Sequence, residues 1–193
     1  MTDLELDAAD QIEQEEELGG PPTESTRVAW AEAARPVLVR TARRYRAMIS
    51  YKDLAAQMQE ATGITTRQPM QHWMADVLHR VAADCVERDE PNLASLAVNA
   101  QGSVGAAYAS TVLSTRGEKI GDSDDHAARE RLACHEFFDA PDLPADGGVP
   151  TLTEKLSAAR TRARKASALA RPVDTCPTCN MALPATKVCD NCA

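Results

Sequence analysis

The sequence predicts a mainly α-helical protein with a small β-hairpin: a winged helix-turn-helix, preceded by a disordered acidic tail and followed by a C-terminal zinc ribbon. Three observations lead to this fold class. Apolar residues recur at helical spacing in the middle of the chain, a short apolar-turn-apolar pattern follows, and two Cys-x-x-Cys pairs lie near the end. The expected divisions are a tail at 1–26, a winged-helix-like domain at 27–140, a linker with a basic helix at 141–172, and the ribbon at 173–193.

The charge of the chain is concentrated near its two ends. The 193 residues carry 29 Asp and Glu against 21 Lys and Arg, and nine of the acids lie in residues 1–26, which contain no base. A polar segment with one sign of charge is expected to be disordered. Residues 153–171, "TEKLSAARTRARKASALAR", reverse the balance with six bases and a single acid. The sequence therefore combines an acidic head with a basic stem.

Composition also predicts where the protein is found. The chain has no apolar run near the ~20 residues that span a bilayer, and it does not begin with a basic region followed by an apolar one. We therefore expect a cytoplasmic protein with no membrane contact. In a reducing compartment, two Cys-x-x-Cys pairs among six cysteines favour a metal over disulfides.

Three helices are expected before residue 90. Apolar residues between Val37 and Met48 predict the first, with Pro36 in its first turn. A short extended run then leads into a second helix that ends near Gly63. The third has the clearest apolar stripe in the sequence, from Met70 to Cys85. The first helix also has a basic outer face, made by Arg40, Arg43, Arg44 and Arg46.

The segment after Pro91 predicts a β-hairpin. Residues 92–108, "NLASLAVNAQGSVGAAY", contain two short apolar runs around a Gly-containing turn. Helix, short strand, helix, turn, longer helix and hairpin is the order of a winged helix-turn-helix. In that arrangement the second of the paired helices enters the major groove of DNA and the hairpin lies on the backbone.

Two stretches of this region resemble the DNA-binding domain of alkylguanine DNA alkyltransferases. "ISYKDLAAQM", residues 49–58, resembles the "TYGELA" entry to that domain, and residues 92–108 are similar to its stretch "IPCHRVV…DGSLGGY". The resemblance covers roughly residues 36–110 and implies a winged-helix scaffold. The active-site Pro-Cys-His-Arg of that family is replaced here by Leu93-Ala94-Ser95-Leu96, so the resemblance does not imply alkyl transfer.

No other set of residues predicts an enzyme. Cys134 and His135 are neighbours on an expected helix, where successive side chains point about 100° apart and do not form a thiolate–imidazole pair. Cys134 and Cys85 are therefore expected in the core. The sequence has no Gly-rich phosphate loop, no Ser/His/Asp set and no evident pair of catalytic carboxylates. We expect neither catalysis nor a small-molecule substrate.

The last residues predict one structural zinc ion. Cys176, Cys179, Cys189 and Cys192 have the spacing C-x2-C-x9-C-x2-C, in which two knuckles supply four thiolates to a tetrahedral ion at about 2.3 Å. Iron fits the same geometry, and a redox pair or disulfides are less favoured alternatives. The segment has few apolar residues to bury, so metal binding and folding are expected to be one event.

Double-stranded DNA is the expected partner, and a regulator of transcription or a nucleoid or phage-related factor is the expected class of protein. Gln and Arg side chains can contact base edges, and Arg and Lys bind phosphate. The alternative is a protein-docking adaptor within a larger complex, in which Arg67, Gln71 and residues 101–104 contact protein. The residues expected at DNA are Arg40, Arg43, Arg44, Arg67, Gln68, Gln71, His72, Arg160, Arg162, Arg164 and Lys165.

The acidic tail has two interpretations. It is either a solubilising segment, or an internal mimic of DNA that covers the basic stem or the basic helix and competes with phosphate. Charge attraction between exposed groups is screened over about 10 Å at 0.1 M salt, so any such competition should weaken as salt rises.

Overall fold

A computed structural model describes residues 21–170, 175–183 and 186–192, except for the side chain of Leu169. It contains two compact units that divide between Leu156 and Ser157. Residues 1–20, the larger part of the predicted tail, lie outside the described residues. The division differs from the expected boundaries, because residues 141–156 belong to the first unit rather than to a linker.

The described residues are mainly helical. The helices are α1 (Glu24–Ala42), α2 (Tyr51–Thr62), α3 (Met74–Glu87), α4 (Tyr108–Arg116), α5 (Ser123–Phe137) and α6 (Glu154–Leu169). Two strands of two residues each, β1 (Ile49–Ser50) and β2 (Ala97–Val98), and two 3-10 turns, Met70–His72 and Leu93–Leu96, complete the regular structure of this part of the chain.

Helix α1 begins well before the position that the sequence predicts. The side chain of Thr23 caps it by accepting a hydrogen bond from the backbone N–H of Thr26 at 3.2 Å. The prediction of disorder up to residue 26 is therefore wrong for residues 24–26, and the prediction that Pro36 lies in a first turn is wrong as well. Pro36 lies inside the helix on its exposed side, while Trp30 and Leu38 are fully buried on the other side.

Helix α1 lies at the centre of the main core, where α2 and α3 both pack on it. The rings of Trp30 and Trp73 meet with their centroids 4.6 Å apart, and each indole N–H donates to a backbone carbonyl at 3.2 Å, of Ile64 and Gln68 respectively. The stripe predicted for the third helix is confirmed over the length of α3. Its buried members are Met74, Val77, Leu78, Val81, Ala82 and Cys85.

The predicted hairpin is wrong. Strand β2 pairs with β1 in parallel, with Ile49 opposite Ala97 and Ser50 opposite Val98. The first apolar run begins with the 3-10 turn Leu93–Leu96, and the second ends where α4 begins at Tyr108. Every residue from 93 to 98 is buried. A hairpin strand usually leaves one face to solvent, whereas parallel strands are usually covered on both faces, and this segment follows the second pattern.

The two helices expected to form the helix-turn-helix are separated by residues 63–73. That connection is longer than the three or four residues of the usual motif, and it contains a 3-10 turn. The winged helix-turn-helix therefore stays a prediction for the helix pair and is wrong for its hairpin. The coarser prediction, a mainly helical chain with a two-stranded sheet, is correct, although the sheet is parallel.

The loop between β2 and α4 is held from several sides. Within it, the Asn99 side-chain oxygen accepts from the backbone N–H of Gln101 and Ser103 at 2.9 and 3.1 Å. From outside, Asp124 accepts from the backbone N–H of Val104 at 3.0 Å, and the Thr153 hydroxyl donates to the carbonyl of Gly102 at 3.0 Å. The segment between α5 and α6 therefore packs against the loop after β2, within the first unit.

Candidate metal centre and nucleic-acid interface

The C-terminal cysteines come together as predicted. One sulfur atom from each of four residues lies within 4.8 Å of the others, and the four are Cys176, Cys179, Cys189 and Cys192. Two backbone hydrogen bonds form the first knuckle: the N–H of Cys176 donates to Met181 at 2.8 Å, and the N–H of Asn180 donates to Cys176 at 2.9 Å. The cluster found among the described residues has four sulfur donors and includes no His or carboxylate. Such a set is consistent with a closed metal site.

Backbone N–H groups favour the thiolate form on the first knuckle. The N–H groups of Cys179 and Thr178 lower the pKa of the Cys176 thiol to about 6, and the N–H of Met181 is the main cause that lowers the pKa of Cys179. The neighbouring Cys179 sulfur raises the pKa of Cys192 to about 11. The three other sulfurs lie close to that of Cys192 and disfavour a further negative charge on it. A cation bound among the four sulfurs would reduce this repulsion.

The cysteine segment has almost no apolar core. Among its described residues, Met181 and Val188 are 59% and 57% exposed and Leu183 is half-buried, whereas Cys176 is only 4% exposed. The buried group is thus a sulfur ligand rather than a hydrocarbon. This supports the expectation that apolar burial alone does not fold the segment.

Most arginines at the α1–α3 interface are neutralised by carboxylates. Arg35 donates to Asp84 at 3.0 Å and to Glu90 at 2.7 Å, Arg80 donates to Asp76 and Glu24, and Arg88 donates to Asp84. The contacts of Arg35 are partly buried, and one of its guanidinium nitrogens reaches both oxygens of Glu90, whereas the contacts of Arg80 with Glu24 and of Arg88 with Asp84 are exposed. This face is therefore unsuited to bind a polyanion.

The C-terminal part of α1 differs from that face. Arg43 and Arg44 are exposed, and Arg40 donates to the side chain of Gln57 at 3.2 Å. Within the part of the chain that the structure describes, none of the three has a carboxylate oxygen within 4.0 Å. They line one groove of about 660 Å³, called here the arginine groove, with Val37, Thr41, Ala47, Met48, Ile49, Asp53 and Gln57.

The polar residues expected at the start of the third helix lie before α3. Arg67, Gln71 and His72 are exposed, the last two in the 3-10 turn. Gln68 is half-buried and its side-chain oxygen is inaccessible to solvent, so it lies less favourably for a base contact than its neighbours. Gln71 lines a second cleft, between α3 and the loop after β2, and not the arginine groove.

That second cleft, of about 540 Å³, was missed by sequence analysis. Apolar side chains of α3 form one wall, including Met74 and Leu78, and residues 99–108 form the other. The Tyr51 hydroxyl donates to the carbonyl of Val104 at its edge. Because residues 92–108 were assigned to an extended hairpin, this wall was not predicted from the sequence. The two glycines Gly102 and Gly105 were the signal in the sequence for a compact loop.

The basic stem is helical. Helix α6 carries four of the predicted residues, Arg160, Arg162, Arg164 and Lys165, and all four belong to the second compact unit. The last three are exposed and Arg160 is half-buried. The predicted DNA-binding residues thus lie in three groups: the arginine groove, the turn before α3, and α6.

The cysteines of the first unit are core residues, as predicted. Cys85 and Cys134 are fully buried, and burial raises the pKa of both thiols. His135 is also buried, with Nδ1 2.7 Å from the carbonyl oxygen of Ala42. Neither thiol has the electropositive, accessible surroundings of a reactive cysteine.

Comparison with protein-family models, with curated proteins and with solved structures finds no match. The resemblance to alkylguanine DNA alkyltransferases stays a prediction. At the position of that family's nucleophile, Leu93 to Leu96 are buried. No helix in the described ranges is long and apolar enough to cross a membrane.

Proposed function

We propose that this protein binds double-stranded DNA without catalysing a reaction on it, and that one structural zinc ion stabilises its C-terminal segment. The observation that supports DNA binding most is the division of the arginines. Those between α1 and α3 are paired with carboxylates, whereas Arg40, Arg43 and Arg44 line a groove whose lining includes a single carboxylate, that of Asp53.

Phosphate is the natural ligand for such a groove. DNA carries closely spaced negative charges, and arginines that neutralise them release bound counterions. The groove contributes affinity and no sequence preference, because phosphate contacts position a protein without distinguishing bases. Sequence preference would come from Arg67, Gln71 and His72, which are exposed and carry groups that can reach base edges. In this proposal α6 adds further phosphate contacts.

Zinc is proposed as the metal because four thiolates at this spacing match its preferred structural site. The ion would hold the two knuckles together and take no part in a reaction, because no coordination position is left for water. In this proposal the core thiols of Cys85 and Cys134 take no part in chemistry, because both are fully buried and burial raises their pKa values.

The test is a fluorescence-anisotropy titration of a random duplex of about 20 base pairs at about 50 and 300 mM NaCl. The zinc-loaded full chain should bind, and its affinity should fall steeply with salt. The double variant Arg43→Gln/Arg44→Gln should bind several-fold more weakly, with a salt slope lower by about two. Arg88→Gln is the matched control, because that exposed arginine is paired with Asp84, and it should bind as the unchanged chain does.

The second candidate function is a protein-docking adaptor. The cleft beside α3 favours it, because its walls are apolar and its volume suits the side chains of a protein partner. An adaptor would show no affinity for the duplex at either salt concentration, and it would co-purify with its partner. Failure of both the unchanged chain and Arg88→Gln to bind would reject the DNA function, and a co-purified protein partner would then select the adaptor.

A further inference from the structure

We propose that residues 1–20 bind the arginine groove of their own chain and thereby compete with DNA phosphate for it. The competition rests on the proposed function, whereas the binding of the tail to the groove does not. The segment that binds the groove is therefore part of the same chain. Because the tail and DNA would use the same groove, the affinity for DNA should depend on salt and on the charge of the tail.

Charge complementarity is the first argument. Residues 1–20 contain eight acids and no Lys or Arg, while the remaining residues contain 21 acids and 21 bases and are balanced. Within that balanced part, the carboxylates near α3 are already engaged by Arg35, Arg80 and Arg88. The excess negative charge of the chain therefore lies in the tail, and exposed arginines with no carboxylate partner among the described residues lie in the groove.

The tail is also long enough to reach the groove. The tail joins the chain just before α1, and the groove lies at the other end of the same helix. Nineteen residues of α helix span about 28 Å. Residues 21–23 are placed directly before the helix and Pro22 is buried, so the tail begins before Pro21. The 11 residues from Asp10 to Pro21 extend to about 36 Å, so Asp10 and every acid before it can reach Arg43. Because the tail is tethered, its effective concentration at the groove is of millimolar order, and a weak interaction suffices.

The lining of the groove is apolar as well as ionic. Met48 lines it and is half-buried, beside Val37 and Ile49, which are 5% and 8% exposed. In the tail, apolar residues alternate with acids at Leu4 and Leu6, and Ile12 precedes Glu13. An acidic segment with interspersed aliphatic side chains can therefore satisfy the guanidinium groups and cover the apolar lining together.

A direct test uses the zinc-loaded full chain and a variant in which the eight tail acids become amides (D3N, E5Q, D7N, D10N, E13Q, E15Q, E16Q, E17Q). The Nε–Hε resonances of Arg40, Arg43 and Arg44 should shift between the two proteins at low salt. Those of Arg35 and Arg88, which are paired with carboxylates, should stay in place. Absence of a shift at the groove, or equal shifts at all five arginines, would overturn the proposal.

Titration of the DNA duplex with the same two proteins then measures the competition between the tail and DNA. Neutralising the tail should tighten binding roughly fivefold at about 50 mM NaCl and less than twofold at about 300 mM, because screening weakens the tail contact. In the Arg43→Gln/Arg44→Gln background the same tail change should have little effect. Arginine shifts without DNA binding by either protein would support the tail contact and reject the DNA function. DNA binding with an unchanged affinity after tail neutralisation would reject the competition.

Discussion

The first compact unit and the cysteine segment fold for different reasons. In the first unit, Trp30, Leu38, Leu54 and Val77 are fully buried around α1. Among the described residues of 175–183 and 186–192, the well-buried side chain is Cys176, and the aliphatic side chains of Met181 and Val188 face solvent. Apolar burial therefore stabilises one region, and metal–sulfur bonds are expected to stabilise the other. The two regions can therefore be perturbed separately.

Removal of the metal should have the largest effect. Structural zinc contributes about 10–16 kcal/mol to small domains of this kind, so Cys179→Ser should abolish metal binding and unfold residues 175–192. The melting of the first unit should not change. Metal analysis and backbone amide spectra measure the two effects. Cys85→Ala is the matched control, because that buried thiol is outside the cluster, and it should keep the metal while destabilising the first unit. Full metal content in Cys179→Ser would contradict the assignment.

Trp30→Ala should perturb the opposite region. Its ring is fully buried against Trp73, so truncation should lower the free energy of unfolding by about 3–5 kcal/mol. Urea denaturation followed by circular dichroism measures the loss. Val28→Ala, on the same helix and 39% exposed, should cost less than about 1 kcal/mol. Metal content should be unchanged in both variants, and loss of metal in Trp30→Ala would show that the two regions are coupled.

Gly102→Ala should destabilise the first unit by about 1–3 kcal/mol. Gly102 has a φ angle of +81°, and a β-carbon there would lie 2.2 Å from the Thr153 hydroxyl oxygen. Gly117→Ala separates the two causes, because its φ is +69° with no atom within 4 Å of the added carbon. The first variant should therefore lose more stability than the second. Equal losses in urea denaturation would mean that Thr153 does not restrain the loop.

High pH should have the smallest effect. Burial, with a further contribution from the charge of Asp124, raises the pKa of Tyr51 to about 12. The unfolded chain then loses this proton more readily than the folded one, so the free energy of unfolding should fall as the pH rises from about 10 to 12. Tyr51→Phe should reduce that fall by less than about 2 kcal/mol. Urea denaturation at several pH values measures it. Burial also raises the pKa of Tyr108, so part of the fall should remain. Equal pH slopes with and without Tyr51 would contradict the prediction.

The sequence predicts α3 and the cysteine cluster well because both have a local pattern. The stripe from Met74 to Cys85 repeats at the helical period, and one buried face is enough to produce it. The cysteine spacing is similarly diagnostic, because two residues between ligands form a knuckle without help from the rest of the chain. In both cases the cause of the structure lies within about 20 residues of sequence.

The prediction of a hairpin is wrong because the pairing of β2 depends on a distant segment of the chain. Two apolar runs around Gly102 have the same appearance whether they pair with each other or with a distant strand. Here Ala97 and Val98 pair with Ile49 and Ser50, which come much earlier in the chain. Because residues 93–98 are all buried, the segment lacks the alternation of apolar and polar residues that would have distinguished a hairpin strand from a parallel strand. Parallel pairing needs such a distant partner, so no window of the sequence contains both strands.

The sequence also does not show which arginines are already paired with carboxylates. Arg35 contacts Asp84 and Glu90, which lie about 50 residues later in the chain, whereas Arg43 contacts no described carboxylate. Only the tertiary packing of α1 against α3 brings the first pair together. Composition can thus identify a basic helix, but not which of its charges are already neutralised.

The contact between Thr153 and Gly102 has a consequence for the order of synthesis. A ribosome releases the chain from its N-terminus, and domains fold as units when their last stabilising segment emerges. Asp124 can therefore restrain the loop after β2 early, whereas the Thr153 contact forms only after some 50 further residues have been added. A nascent chain stopped after α5 would contain helices α1 to α5, with this wall of the cleft still lacking the Thr153 contact.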